Sequence, residues 1–263
     1  MSLSMDTGLS ALEQFQEQIN VIANNIANVN TVGFKQATVN FADTLSETLG
    51  SNAVGSTQIG TGVTTASITN NFTTQGSLTS TGTQSDLAID GNGFFVVKDP
   101  TTGLQYVTQD GTFSVDANGY LVTSGGMRLQ GASGDLQIAS TTTATVTGYT
   151  IGSNGTISVA LSDGTTSTAG QILLQNYSNP DQLVSVGGNL YTAPTAAGGL
   201  TAAAAPGTGG LGTIESGYLE MSNVDLAGQL TDLISAQRAY QANSQVITTS
   251  DQIMQTVVQL GQG

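Results

Sequence analysis

The glycine run Gly207-Thr-Gly-Gly-Leu-Gly212 matches the G-x-G-x-x-G pattern that cradles a dinucleotide pyrophosphate. Asp86 with Asp90-Gly-Asn92-Gly93 resembles part of a calcium loop. Neither stands in the setting its chemistry needs. A dinucleotide fingerprint requires a strand before it and a helix opening within it; here the glycines follow an Ala/Pro stretch and read as a surface loop. The calcium ligand spacing and its closing Glu are missing, so Asp90-Gly91 and Asn92-Gly93 read as hairpin turns. With no His and no Cys, the chain lacks the usual general base near pH 7, a thiol nucleophile and the ordinary zinc ligands. Asp and Glu total 18, and no two form a local pair suited to acid–base work. These residues predict no enzyme, no cofactor, no metal site and no small-molecule substrate.

The charge balance removes a further class. A net charge of −14 with four Lys and Arg cannot neutralise a row of phosphates, so no nucleic-acid partner is expected. Charged residues make up only 8% of the chain, against about 25% in an average soluble protein. Thr and Ser together number 64 and Gly 34, so the surface is built from hydroxyls, amides and backbone. The first ten residues carry Asp6 and neither a basic nor an apolar region, so no cleaved signal peptide is predicted. No run of consecutive apolar residues approaches the length of a membrane-spanning helix.

The elements follow from spacing. Leu12, Phe15, Ile19, Ile22, Ile26 and Val29 are separated by steps of three and four in a stretch free of Gly and Pro, which predicts a helix over ~4–32 with a heptad seam. Gly33 is its stop signal. At the other end Leu226, Leu230, Leu233, Tyr240, Ile247, Met254 and Val258 occupy heptad positions, interrupted by Gln237, Ser244 and Asp251. These predict a helix over ~222–260, capped by Ser222 or Asn223. Everything between reads as β structure. Short apolar runs such as Phe94-Phe95-Val96-Val97 alternate with Asn-Gly and Asp-Gly turns, and all four prolines lie there. The expected fold is therefore α+β and discontinuous. Residues 1–34 and 220–263 form a helical assembly domain paired as a coiled coil, 35–74 an extended connector, and 75–219 a central β domain rich in hairpins. Residues 193–213 read as a surface loop.

The terminal helices lack charge where charge is expected. Asn24, Asn25 and Asn28 lie off the first seam, and from Ala239 to Gly263 the only charged side chain is Asp251. Wet helix faces usually carry Lys/Glu pairs. Neutral amides, unlike unpaired charges, tolerate burial against another polar surface. Two such helices, one at each chain end, predict pairing with each other and with further copies.

Three segments carry a resemblance. Asn24-Asn25-Ile-Ala-Asn28-Val-Asn30-Thr31-Val-Gly33-Phe34-Lys35 resembles the N-terminal signature of the bacterial flagellar rod and hook proteins. Gln75 to Gly82, with Asp86 to Phe95, resembles their middle segment, and Ser216 to Asp225 with Ala236 to Ser244 resembles their C-terminal signature. Phe41 to Leu45, Gln84 to Leu87 and Gln241 to Ile247 resemble the hook protein more than the distal rod protein, whereas the length, with no room for the extra outer β domain of many hook proteins, argues the other way. A short hook protein lacking that domain reconciles the two. The resemblance implies a structural subunit of the extracellular hook, self-assembling into a hollow helical tube that transmits torque as a flexible joint. The alternative it implies is a distal rod subunit of the periplasm-spanning basal body, a rigid drive shaft. It also implies further copies of the chain and other axial proteins (distal rod, hook–filament junction, hook cap) as partners. Passage through the flagellar type III export apparatus is implied as well, and Gln252, Gln255 and Gln259 are candidates for a neutral channel lining.

Overall fold

The computed structural model describes residues 2–52, 55–138, 146–194 and 197–261. It has a helix at each end, α1 (Ser2–Ala27) and α2 (Leu226–Leu260), and a mainly β middle. The chain is α+β. It divides into two compact units, one of residues 1–28, 36–70 and 224–263, the other of residues 29–35 and 71–223.

In the first unit α1 and α2 run antiparallel, since Asn25 meets Gln229 near one end while Gly8 lies beside Ile247 near the other. A Cβ at Gly8 would stand 3.2 Å from Ile247 Cγ1, so the missing side chain sets how closely the helices approach. The stretch expected as an extended connector contains paired strands. Ala37–Asp43 and Val63–Asn70 form an antiparallel ribbon, and Ser46–Asn52 pairs with Gly55–Gly60. Phe15 of α1 meets Phe41 of that ribbon edge-on, centroids 6.4 Å apart. Weak alternation and a Thr-rich composition hid these strands, because partner packing rather than propensity stabilises such ribbons.

The second unit is built around strand Phe94–Lys98. Antiparallel neighbours Gln105–Thr108, Arg128–Gly131 and Leu174–Tyr177 flank it in a ten-stranded sheet. Alternation explains its unbroken apolar run. Phe95 and Val97 enter a core with Leu87, Leu121, Leu129, Ile157 and Ile172, whereas Phe94 and Val96 enter another with Phe72, Val107, Leu183 and Tyr191. A strand buried on both faces needs apolar residues at every position. A three-stranded sheet, Val146–Ile151, Thr156–Leu161 and Thr166–Gln171, supplies Ile157 and Val159 to the first core. Part of the expected loop at 193–213 is a strand, Gly199–Ala204, which pairs with Leu174–Tyr177. Its alanines gave no β signal; the ladder holds it.

The C-terminal strands close this unit. Thr213–Ser216 pairs with Leu87–Asp90, setting Ile214 against Ile89, and Tyr218–Glu220 pairs with Leu78–Ser80. Between these strands and the sheet, residues 207–212 form a turn loop in which the Gly207 amide donates to the Gly212 carbonyl, as the sequence suggests.

Candidate functional site

The asparagines of the N-terminal signature end α1 earlier than its apolar seam implies. The Asn28 amide is shared between the carbonyls of Asn24 and Asn25 at 3.1 and 3.2 Å, and the Asn28 side chain donates to the Asn24 carbonyl at 2.9 Å. The carbonyls left over at a helix end are thus satisfied locally. The helix stops at Ala27, so Val29, expected on the helical seam, lies with Asn30 and Thr31 in the following turn, within the second unit.

Asn25 is not on a wet face. It is buried, donates to the Ala37 carbonyl and to Gln229 Oε1, both at 2.8 Å, and accepts from the Ala37 amide at 2.9 Å. One side chain so fastens α1 to the ribbon and to α2, while Gln229, a polar residue outside the expected seam, becomes buried.

That bond sets the rotation of α2. Its buried and half-buried positions run through Gln229, Leu233, Ala236, Asn243 and Ile247. Of the expected seam, Leu233 and Ile247 lie on this stripe; Leu226, Leu230, Tyr240, Met254 and Val258 are exposed. The reason is that Gln229 is held by Asn25 and small Ala236 allows close approach, so the helix turns one residue away from its more apolar face. Ile234, Ile253, Val257 and Leu260 extend that exposed apolar surface, at 59, 50, 52 and 78%. The N-cap is Asp225, which accepts from the Ala227 amide at 3.1 Å, not Ser222 or Asn223. On α1 Ile22 is buried and Leu12, Phe15, Ile19 and Ile26 are half-buried. Gln252, Gln255 and Gln259 are exposed, and Gln255 donates to Asp251 at 2.9 Å.

In the second unit the rest of the signature is tied to the C-terminal segment. Gly33 (φ +68) donates its amide to the Glu220 carbonyl at 2.8 Å, and a Cβ there would meet the backbone of Asp110 at 2.8–2.9 Å. Close backbone approach, rather than helix termination, is its role. Asn189 donates to the Val32 carbonyl at 2.7 Å. Phe34 is half-buried. Lys35 and Glu220 form an ion pair at 2.8 Å with side chains 2 and 4% exposed. Spacing and periodicity single out neither of them. The available signal was that Lys35, one of only four cations, closes a signature otherwise free of charge.

Elsewhere Asp90 and Asn92 flank the positive-φ Gly91 and Gly93, and Asp86 accepts from the Thr81 hydroxyl at 2.6 Å. The Arg128–Asp135 pair at 2.9 Å is half-exposed. A cavity of about 370 Å³ over the three-stranded sheet is lined by Ile138, Val146, Val159, Leu161, Ser167, Thr168 and Ala169, with no titratable group among them.

The features brought together are packing surfaces and ties between distant segments of the chain. The chain belongs to the flagellar rod and hook family of axial proteins. Residues 5–35 match the family described as flagella basal body rod protein, residues 88–159 the flagellar hook protein FlgE/F/G D1 domain, and residues 215–260 the flagellar basal body rod FlgEFG protein C-terminal family. It is 42% identical over 268 residues to the flagellar basal-body rod protein FlgG of Bacillus subtilis, covering 99% of each chain. Identity to the protein of the same name from Caulobacter vibrioides is 38%, over 98% of each. The flagellar hook protein FlgE of Borreliella burgdorferi is 41% identical over 140 residues, only 50% of this chain and 31% of that one.

These matches overturn the hook reading. Of the short segments that favoured it, only Gln241 to Ile247 lies within a matched family region, and three short runs do not separate the family's members. Length does, since rod proteins align from end to end whereas the hook protein does not.

Proposed function

We propose that this chain is a subunit of the distal flagellar rod, a rigid drive shaft rather than a flexible joint. The observation that carries the reading is end-to-end similarity to basal-body rod proteins at a common length. The subunit polymerises into a hollow helical tube through α1 and α2, which pair as a coiled coil. The exposed apolar face of α2 supports this, because from Asp251 to Leu260 every residue is exposed while Ile253, Met254, Val257, Val258 and Leu260 are apolar. Such a surface marks an interaction site. Other axial proteins and the type III export apparatus are the partners, and the subunit's place is the periplasm-spanning rod.

The test is complementation of a strain lacking its rod protein, with electron microscopy of the polymer. Straight tubes and restored flagella are expected; curved tubes sink the reading. Deleting residues 1–34 is expected to abolish polymerisation. For the channel, neutral glutamines bind neither apolar nor charged cargo strongly. Gln255→Leu with Gln259→Leu is expected to slow export of filament protein through tubes that still assemble. An unchanged rate assigns these glutamines to subunit contacts instead.

A further inference from the structure

We propose that the buried Lys35–Glu220 pair is a positional lock for the three segments by which the chain enters and leaves the β unit, holding their register under the load a rod carries. The mechanical role rests on the rod reading; the lock itself does not.

The chain passes between its two units after residues 35, 70 and 223, among other points. Beside each of these the β unit holds a segment of one knot. Lys35 Nζ donates to Glu220 Oε1 at 2.8 Å and to the Thr74 carbonyl at 3.3 Å, and the Gly76 amide donates to the same Glu220 oxygen at 2.8 Å. Backbone bonds run in parallel, from the Gly33 amide to the Glu220 carbonyl and from Met221 to Ser77. Asn223 Nδ2 reaches the carbonyls of Asn71 and Thr74 at 2.9 and 2.8 Å. The segments touch backbone to backbone, since a Cβ on Gly76 would stand 1.8 Å from the Met221 carbonyl oxygen.

Burying two charges gains little stability over a well-packed apolar pair. What it supplies is uniqueness. Apolar side chains slide past one another at small cost, whereas a shifted register here leaves a charge buried without its partner. The scarcity of cations sharpens the point, because one of four is sequestered where it cannot serve solubility.

The test uses the purified full chain. Lys35→Met with Glu220→Leu is expected to keep the urea midpoint at or above that of the parent, yet to speed amide hydrogen exchange at Gly33 and Met221 at least tenfold. Lys35→Gln with Glu220→Gln covers the case in which the apolar pair does not fold. It preserves hydrogen bonding without charge, and the same acceleration is expected. Parent-like exchange in either folded variant overturns the lock. In cells, variant rods are expected to support swimming in dilute medium and to fail in viscous medium; equal performance under load overturns the mechanical role. Should the parent chain not restore flagella to a rod-deficient strain, the rod reading falls while the exchange measurement still decides the lock.

Discussion

Tyr191 sits edge-on to Phe72, centroids 5.2 Å apart, and burial pushes its phenol from 10.0 up to about 12. The folded state therefore favours the neutral form. That contribution is intact below pH 10 and is lost as pH rises towards 12, by roughly 2–3 kcal/mol at about 1.4 kcal/mol per unit. Tyr191→Phe keeps the ring contacts, so the difference between parent and variant in alkaline denaturation isolates the phenol. Asp135 has the opposite sign. Hydrogen bonds from Gln130 and Arg128 hold its carboxyl below 3.8, so its stabilisation is present above that value and fades as pH falls through the depressed one. Asn25 makes three side-chain hydrogen bonds, two to the Ala37 backbone and one to Gln229. Asn25→Ala strands the Ala37 amide and opens a gap, an expected loss of about 2–4 kcal/mol in urea unfolding. A loss under about 0.5 kcal/mol, the size of an ordinary surface change, sinks the assignment.

Segments of the chain answer to partners more than to their own periodicity. The apolar pattern of α2 permits two rotations. Gln229 chooses between them, leaving Ile234 and Val257 outward. Replacing both with Ser is expected to leave monomer stability within ~0.5 kcal/mol per site while weakening polymerisation, measured by sedimentation against the parent; undiminished polymer sinks the interface. Gly33 is bound by two constraints, positive φ and contact with the Asp110 backbone. Gly33→Ala is expected to cost about 2 kcal/mol or more, read as a lower thermal midpoint. Gly33→Ala with a parent-like midpoint denies that close approach.

Across the chain, both units are completed by residues from its two ends. Asn25 and Gln229 lie 204 positions apart, and Lys35 and Glu220 lie 185 apart. Contacts so distant are slow to form, because loop closure must precede any gain. The β unit, in particular, takes Ile214 into its core from the C-terminal side. Ending the chain at residue 212 is expected to abolish cooperative unfolding of the β unit and to expose dye-binding apolar surface. A sharp transition in that truncated chain contradicts the picture.

Composition and spacing alone determined the helical ends, the β middle and the turns, because those depend on local rules, steps of three and four and Gly after Asn or Asp; the family came from the resemblance of three segments to its signatures. The strand Phe94–Lys98 is legible for the same local reason, since its unbroken apolar run demanded burial, whereas the α1 seam runs on the helix from Leu12 to Ile26 and loses Val29 to the turn. Only tertiary structure decided where α1 stops, which face of α2 turns inward, that Ala37–Asp43 pairs with Val63–Asn70 and Ser46–Asn52 with Gly55–Gly60, and that alanines 203–204 belong to a strand. Most of these are fixed by a partner far along the chain. Lys35 and Glu220 make the point most sharply, since a lone Lys and a lone Glu ordinarily face water. The scarcity of cations singles out Lys35 alone; nothing local pairs it with Glu220, and what overrides the rule is that the fold delivers each to the other at 2.8 Å.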